Sequence, residues 1–349
     1  MTRLADFGAW SAAIAILAGC ASTPADKRLD SVMPTTLVVA RDAGVRDLRG
    51  DYRSAVCSRL PAEAACDDAL QRLAGEPAAA ASPPTDDLAR RYRIAFVPGI
   101  FSECFEHFAR PFADVESNLV ASGFTVDYFS VPGRGSSAQN AARLAERFRG
   151  LDGEARPFIV FAYSKGLVDV LEFMVRFPDD ARRIAAVVAV AGAANGSPLA
   201  DQLSGVYRNW GASFPLPGCA EGTGEEIDDL RPDVRMAWWQ KHGDELTTPI
   251  FALVAAPSPD RVSPVTRATY RQLAKTDPRN DVKLLWHDQI PPRSYLLGYA
   301  NADHWAIAVP VAKELPRISF LFRDDAPRTA FVEGAIEVVA RTLAERQAR

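Results

Sequence analysis

Short apolar runs alternate with longer segments of helical periodicity over most of the chain. The runs at 92–97, 124–131, 157–162, 184–191, 249–255 and 282–286 predict strands, and the segments at 105–122, 137–149, 166–177, 262–275 and 327–345 predict helices. Strands that alternate with helices are typical of a parallel sheet. The pattern therefore predicts the α/β class, with a mostly parallel central sheet flanked by helices.

Composition divides the rest of the chain. Residues 202–248 contain no predicted strand and hold several aromatic side chains beside Pro and Gly clusters, which favours a cap or lid inserted into a sheet domain of 91–349. Ordinary helix packing by the tryptophans is the alternative. Residues 36–90 predict a small N-terminal helical extension that ends in a low-complexity linker, and residues 20–35 a polar tether.

The sharpest local signal is the junction between a predicted strand and a predicted helix at 156–177. The apolar run enters the turn Ala162-Tyr-Ser164-Lys-Gly166, in which small residues lie two before and two after the serine. A strand that turns abruptly into a helix places such a serine at the apex, where the free N–H groups of the helix can stabilise an oxyanion. Ser164 is therefore the candidate nucleophile, although a plain strand-to-helix turn has the same pattern.

An oxyanion hole needs a second backbone donor that comes from earlier in the chain. The strand at 92–97 runs into Pro98-Gly99-Ile100, so the sequence predicts that the N–H groups of Ile100 and Lys165 form the hole. The Lys165 side chain is not expected to act as the base of Ser164, because sequence neighbours diverge at a helix start.

Four histidines are candidates for the base: His107, His242, His287 and His304. His107 precedes the serine, and His242 lies in a polar stretch. His304 lies in a segment after the last predicted strand, where a mobile loop could return it to Ser164, so it is favoured over His287.

The acid is sought at the carboxyl end of a strand, the functional edge of such sheets. Asp260 follows the predicted strand 249–255 in a loop rich in Pro and Ser, and it is the preferred partner for His304. Asp201 and Asp288 are the alternatives, while Asp303 adjoins His304 too closely.

These residues, in this order, resemble the α/β-hydrolase superfamily. The segment 187–201, with Gly196-Ser-Pro-Leu-Ala-Asp201, resembles the loop after the nucleophile helix of bacterial lipases, and 303–306 resembles the histidine segment of many esterases. The resemblance spans 92–345. Pro98, Ala162 and the stretch 193–195 depart from the usual motifs, which indicates a divergent branch.

The N-terminus indicates export. A positive charge precedes the apolar stretch 7–18, which is too short to span a bilayer, and Leu17-Ala-Gly-Cys20 follows. That ending resembles the bacterial lipobox, so residues 1–19 are expected to be a lipoprotein signal peptide and Cys20 the lipidated residue. The resemblance implies a protein anchored in the bacterial envelope, at the outer membrane, because no aspartate follows Cys20.

Four further cysteines in an exported chain predict two disulfides, with three pairings possible. Cys57 and Cys66 flank a short segment that suits a local loop. Cys104 and Cys219 are then partners by exclusion, which predicts that the oxyanion loop and the cap lie together.

Composition is that of a globular enzyme: 48% hydrophobic, 24% charged and a net charge of −4. With no basic cluster to bind phosphates, nucleic acid is disfavoured as a partner. No spacing of ligands or glycines predicts a metal or a cofactor. We therefore expect a serine hydrolase that cleaves carboxylic esters of an acyl or lipid-like substrate; an amidase, a thioesterase, a polyester depolymerase or a non-catalytic lipoprotein of the same fold are the alternatives.

Overall fold

A computed structural model describes residues 44–80, 87–105, 110–151, 153, 155–215 and 218–348. The predictions for the signal peptide 1–19, for Cys20, for the tether 20–35 and for His107 lie outside these residues.

Among the described residues, eight strands form one sheet in the order β1-β8-β7-β6-β5-β3-β4, with β2 also paired to β8. All pairings are parallel except that of β2 with β8. The strands are β1 (Arg46–Asp47), β2 (Leu70–Gln71), β3 (Arg93–Val97), β4 (Val126–Tyr128), β5 (Phe158–Tyr163), β6 (Ile184–Val190), β7 (Ile250–Ala255) and β8 (Tyr295–Ala300). The predicted α/β class, a mostly parallel sheet flanked by helices, is confirmed.

Helices cover both faces of the sheet. They are α1 (Arg49–Cys57), α2 (Glu63–Ala69), α3 (Leu88–Arg91), α4 (Ser102–Phe105), α5 (Ala113–Ala121), α6 (Ser137–Arg149), α7 (Lys165–Arg176), α8 (Pro178–Ala181), α9 (Pro198–Val206), α10 (Glu225–Asp228), α11 (Pro232–His242), α12 (Arg267–Leu273), α13 (Val311–Glu314) and α14 (Arg328–Gln347). Within the described residues, no helix is long and apolar enough to cross a membrane.

The central strands are apolar because both of their faces are covered. Every residue of β3, β5, β7 and β8 is buried. On one face, α6 and α7 pack together, and α6 begins at a capping box in which the Ser136 side chain accepts the N–H of Gln139. On the other face, α14 packs against α1 and α5. This packing holds the carboxyl ends of the strands, where the candidate site lies, at fixed positions.

The prediction of a strand at 282–286 is wrong. These residues form a tight turn between the bridge partners Asn280 and Leu285, followed by one turn of 3₁₀-helix at Trp286–Gln289. The last strand is β8, nine residues later. Two polar side chains explain the turn, because Asp281 and Asn280 accept backbone N–H groups inside it and so offer the backbone an alternative to a ladder.

The N-terminal extension completes the edge of the sheet. β1 and β2 pair with the outer side of β8, and the Tyr52 hydroxyl, fully buried, donates to the carbonyl of Phe331 in α14. The Cys57–Cys66 disulfide closes the loop between α1 and α2. The extension is thus part of the same core as the sheet.

Candidate active site

Ser164 lies at the apex of the turn between β5 and α7, with the strained backbone angles φ 55° and ψ −124°. The surrounding structure holds this conformation. The Ser164 N–H donates to the Val190 carbonyl at the end of β6, and the Ser164 carbonyl accepts the N–H of Ala193. A non-glycine residue at positive φ costs free energy and persists where its neighbours impose it, which is the arrangement of a nucleophile elbow.

Backbone packing explains the two glycines of the site. A Cβ on Gly166 would lie 2.4 Å from the Pro98 carbonyl oxygen, and a Cβ on Gly99 would lie 2.8 Å from the Ser164 Cβ. The turn after β3 and the elbow are therefore in direct contact, and no other residue fits at either position.

This contact places two free backbone donors beside Ser164. The N–H of Lys165 is the first of α7, and that of Ile100 follows Gly99; neither donates to an acceptor among the described residues. The structure thus brings both predicted oxyanion donors to the serine.

The Lys165 side chain turns away from this site. Its Nζ lies 2.5 Å from Asp169 Oδ1 one turn later, with both side chains 2% exposed, and Asn140 donates to the other Asp169 oxygen at 2.7 Å. Burial raises the pKa of the Asp169 carboxyl, and the Lys165 ammonium opposes this effect. A Ser–Lys pair is absent from this site.

His304 lies next to the serine, with Nε2 2.9 Å from Ser164 Oγ. It is 5% exposed, and its backbone is held on both sides: its N–H donates to the Asp281 carbonyl, and its carbonyl accepts the Tyr163 hydroxyl at 2.6 Å. His304 therefore lies on a turn that is held by hydrogen bonds on both sides.

The second imidazole nitrogen of His304 contacts Asp281. Nδ1 lies 2.7 Å from Asp281 Oδ2, while Asp281 Oδ1 accepts the N–H groups of Lys283 and Leu284 at 2.9 and 2.7 Å. Asp281 is fully buried. Asp281 Oδ2 can therefore accept the Nδ1–H of His304, in the tautomer whose Nε2 is free to accept from Ser164.

Val282, beside this aspartate, has φ 80°, which is rare for a β-branched residue. Its side chain is fully buried with Val262 and Tyr270, and its N–H donates to Asn280 Oδ1 at 3.1 Å. Packing and hydrogen bonds thus impose a tight turn that directs the Asp281 carboxylate at His304.

The prediction of Asp260 as the acid is corrected by this geometry. Asp260 is exposed in a 3₁₀ turn, where a hydrogen bond with the Ser258 side chain holds the pKa of its carboxyl below the usual value. Asp281 occupies the place expected for Asp260 because the chain makes a long excursion between β7 and β8 before the strand begins.

The other acid candidates have different partners. Asp201 pairs with Arg231 on the surface. Asp303, fully buried, accepts the N–H groups of Ser263, Trp305 and Ala306, so it holds the turn that carries His304. His287, the alternative base, is half exposed and lies 3.4 Å from Asp288.

The buried carboxyl of Asp288 should make the free energy of unfolding depend on pH. Burial raises the pKa of its carboxyl to about 7, so the folded protein binds a proton that the unfolded chain releases near pH 4. This group therefore costs no stability below pH 4, and its cost grows as the pH rises to 7, up to about 4 kcal/mol. We expect Asp288→Asn to raise the free energy of unfolding in urea at pH 8 and to leave it unchanged at pH 4. A gain of equal size at both pH values would contradict this origin.

A buried cation connects the segment 202–248, which the sequence predicts to be a cap and which we continue to call the cap, to the loop after Ile100. Arg134, 3% exposed, donates to the carbonyls of Gly211, Ala212 and Phe214 in the cap. Its neighbour Gly133 accepts the N–H of Phe101 at 2.7 Å. The loop that carries Arg134 thus joins the cap to the residues after Ile100.

A covalent bond makes a second connection, because the Cys104–Cys219 disulfide joins α4 to the cap. The structure contains both predicted disulfides, and this one lies four residues from Ile100, whereas Cys57–Cys66 lies in the extension.

We expect removal of one disulfide to have a different effect from removal of the other. Chain-entropy loss scales with loop length, so replacing Cys219 by Ser opens a loop of 115 residues and should lower the free energy of unfolding by roughly 5 kcal/mol, against roughly 3 kcal/mol for the 9-residue loop in Cys57→Ser. Only Cys219→Ser should also lower kcat, because it frees the oxyanion loop. Urea unfolding and ester turnover measure the two effects; an equal loss of kcat in both variants would count against this role.

Within the part of the chain that the structure describes, no group of His, Cys, Asp or Glu side chains could hold a metal ion. The arrangement that remains is a serine hydroxyl, an imidazole, a carboxylate and two free N–H groups. Such a set can generate a nucleophile, transfer its proton and stabilise an oxyanion.

No protein-family model matches the sequence, and no curated protein matches it. Among solved structures, the chain is similar to a metagenomic carboxyl esterase, with 34% identity, a TM-score of 0.81 and coverage of 89% of this chain and 97% of that one. The mature lipase of Bacillus licheniformis shares 18% identity and a TM-score of 0.51 over 65% of this chain and 89% of its own, a likeness of fold alone. The chain therefore belongs to the α/β-hydrolase family, in the group of that metagenomic carboxyl esterase.

Proposed function

We propose that this protein hydrolyses carboxylic esters through a Ser164–His304–Asp281 triad. The proposal rests on two consecutive hydrogen-bond contacts. The distance from Ser164 Oγ to His304 Nε2 is 2.9 Å, and the distance from His304 Nδ1 to Asp281 Oδ2 is 2.7 Å. The similarity to the metagenomic carboxyl esterase supports an ester as the substrate.

The reaction begins when Ser164 Oγ attacks the ester carbonyl and His304 Nε2 takes its proton. Asp281 stabilises the imidazolium, and the N–H groups of Ile100 and Lys165 bind the oxyanion of the tetrahedral intermediate. The intermediate collapses as His304 returns the proton to the leaving alcohol, which gives an acyl-enzyme on Ser164. Water, deprotonated by His304, then releases the carboxylic acid.

The acyl side of the substrate lies, in this proposal, against the cluster under the cap. Val168, Ala193, Leu230 and Leu284 are buried there, with Ile100 packed beside them. These apolar side chains adjoin both the oxyanion donor and the turn of Asp281, so they favour an acyl or lipid-like group.

We also propose that the enzyme works at the bacterial envelope, anchored by a lipid on Cys20. The support is the sequence Leu17-Ala-Gly-Cys20 after a short apolar stretch. Metabolic incorporation of a fatty-acid analogue should label the wild-type chain and leave Cys20→Ser unlabelled; equal labelling would exclude this anchor.

The test of the chemistry is a fluorophosphonate probe followed by peptide mapping. We expect the probe to modify Ser164 alone, and p-nitrophenyl ester turnover to fall in proportion to labelling. Ester turnover that persists after Ser164 is fully modified would refute the proposed nucleophile. The corresponding p-nitroanilide, offered at equal concentration, separates an esterase from an amidase.

A further inference from the structure

Two neighbouring segments beside the candidate site, residues 264–275 and 313–323, form a surface that we name the basic rim. The first follows β7 and the second follows the turn of His304, so both lie at the carboxyl edge of the sheet, as Ser164 does. They are joined through Ser263, whose hydroxyl accepts the N–H of Arg323 at 2.9 Å and whose own N–H donates to Asp303. The rim is thus fixed directly to the turn that carries the base.

The charge of the rim is opposite to that of the chain. Its basic residues come from two segments that are far apart in the sequence and meet only in the fold, which is why the sequence shows no basic cluster. The rim holds six cations and one acid, Glu314, in a chain of net charge −4. Arg267, Lys313 and Arg317 are exposed, and among the described residues no ion pair joins the side chain of any of them to a carboxylate. The backbone N–H of Lys313 donates to Asp324 Oδ2 at 3.1 Å. Of the neighbouring acids, Asp325 pairs with Arg261 and Asp324 with Arg328, while Asp260 is exposed.

Apolar side chains project from the same two segments. Phe320 is 73% exposed, and Ile318 and Val265 are each 38% exposed. Large apolar groups at such exposure, interleaved with exposed cations such as Arg267 and Arg317, are typical of surfaces that enter the headgroup region of a bilayer.

We propose that the basic rim docks onto an anionic lipid bilayer and turns the carboxyl edge of the sheet, where Ser164 lies, toward it. Each cation near an anionic surface adds electrostatic attraction, while Phe320, Ile318 and Val265 lose contact with water in the interfacial region. The ester substrate would then be taken from lipid at the membrane surface. This consequence rests on the proposed function, whereas the binding itself does not.

The length of chain before Gly44 is compatible with this orientation. Gly44 lies against Arg293 at the amino end of β8, the edge opposite the site. Twenty-three residues lie between it and Cys20, a stretch that spans up to roughly 80 Å when extended, against roughly 20 Å for the six residues of β8. An anchor at Cys20 therefore permits either edge to face the membrane, and the rim selects the edge with the site.

The test is vesicle flotation of the full chain with Cys20→Ser, so that every variant shares the same unlipidated N-terminus. Vesicles are phosphatidylcholine with or without phosphatidylglycerol. We expect stronger binding to the anionic vesicles that weakens as salt is raised. The pair Arg267→Glu and Arg317→Glu should lower the partition coefficient for anionic vesicles by roughly a hundredfold, and the pair Ile318→Ser and Phe320→Ser by roughly tenfold.

Matched controls lie at the opposite edge of the sheet. Val120 is 55% exposed in α5, and the Arg182 side chain is 76% exposed after α8. Val120→Ser and Arg182→Glu should leave flotation unchanged, and thermal melting should show that all variants are folded.

Three results would overturn the proposal: equal binding to both kinds of vesicle, rim variants that float like the wild type, or a dimer in solution that Phe320→Ser dissociates. Ser164→Ala keeps the two proposals separate. If that variant retained esterase activity, the proposed function would fail, while its flotation would still test the rim.

Discussion

We expect Ser164→Ala to abolish fluorophosphonate labelling and to lower kcat for p-nitrophenyl esters by roughly 10⁵- to 10⁶-fold, because the elbow tolerates alanine while the nucleophile is lost. The elbow conformation depends on backbone hydrogen bonds to Val190 and Ala193, which the substitution keeps. Folding should therefore be intact by circular dichroism and thermal melting.

His304→Ala should produce a loss of similar size, and the double variant should be no worse than either single one, since the serine and its base act as a unit. His287→Ala is the matched control, because His287 is half exposed and makes its contact with Asp288. Near-normal kcat in His304→Ala, or a large loss in His287→Ala, would show that the base is misassigned.

The second large effect distinguishes the two aspartates. Asp281→Asn should lower kcat roughly 10⁴-fold, because an amide beside Nδ1 no longer fixes the tautomer that leaves Nε2 free to accept a proton. Asp260→Asn should keep kcat within about twofold of the wild type, as expected for an exposed group away from the reacting atoms. Both variants should be compared in kcat/KM over a range of pH. If Asp260→Asn were the damaging change, Asp281 would be excluded as the acid.

The strand, turn and helix around Ser164 could be predicted because local rules determine them. The apolar run of β5 and the small residues Ala162 and Gly166 are visible in the sequence, and β5 and α7 lie within one residue of their predicted bounds. Gly99 follows β3 and Ser164 follows β5, and parallel strands end at the same edge of a sheet. The two candidate oxyanion donors could therefore also be predicted from the sequence.

The acid could not be found by the same means. The run Val282–Trp286 is as apolar as β8, and periodicity alone does not separate a strand from a buried turn. Once 282–286 is taken as the last strand, Asp281 falls at its amino end, away from the functional edge. The signal that opposes this reading is Asn280-Asp281 itself, two residues that favour turns, together with the later apolar run Tyr295–Ala300.

The edge strand β8 has a consequence for the order of folding. Arg46 pairs with Tyr295 across 249 residues, so the extension joins the sheet only after nearly all of the chain has become available. Contacts of such high sequence separation form slowly, and a chain that emerges amino end first must keep residues 44–71 without their partner until β8 has emerged. The same strand leads directly into the turn of His304. Closure of the sheet edge and assembly of the catalytic site are therefore one late event.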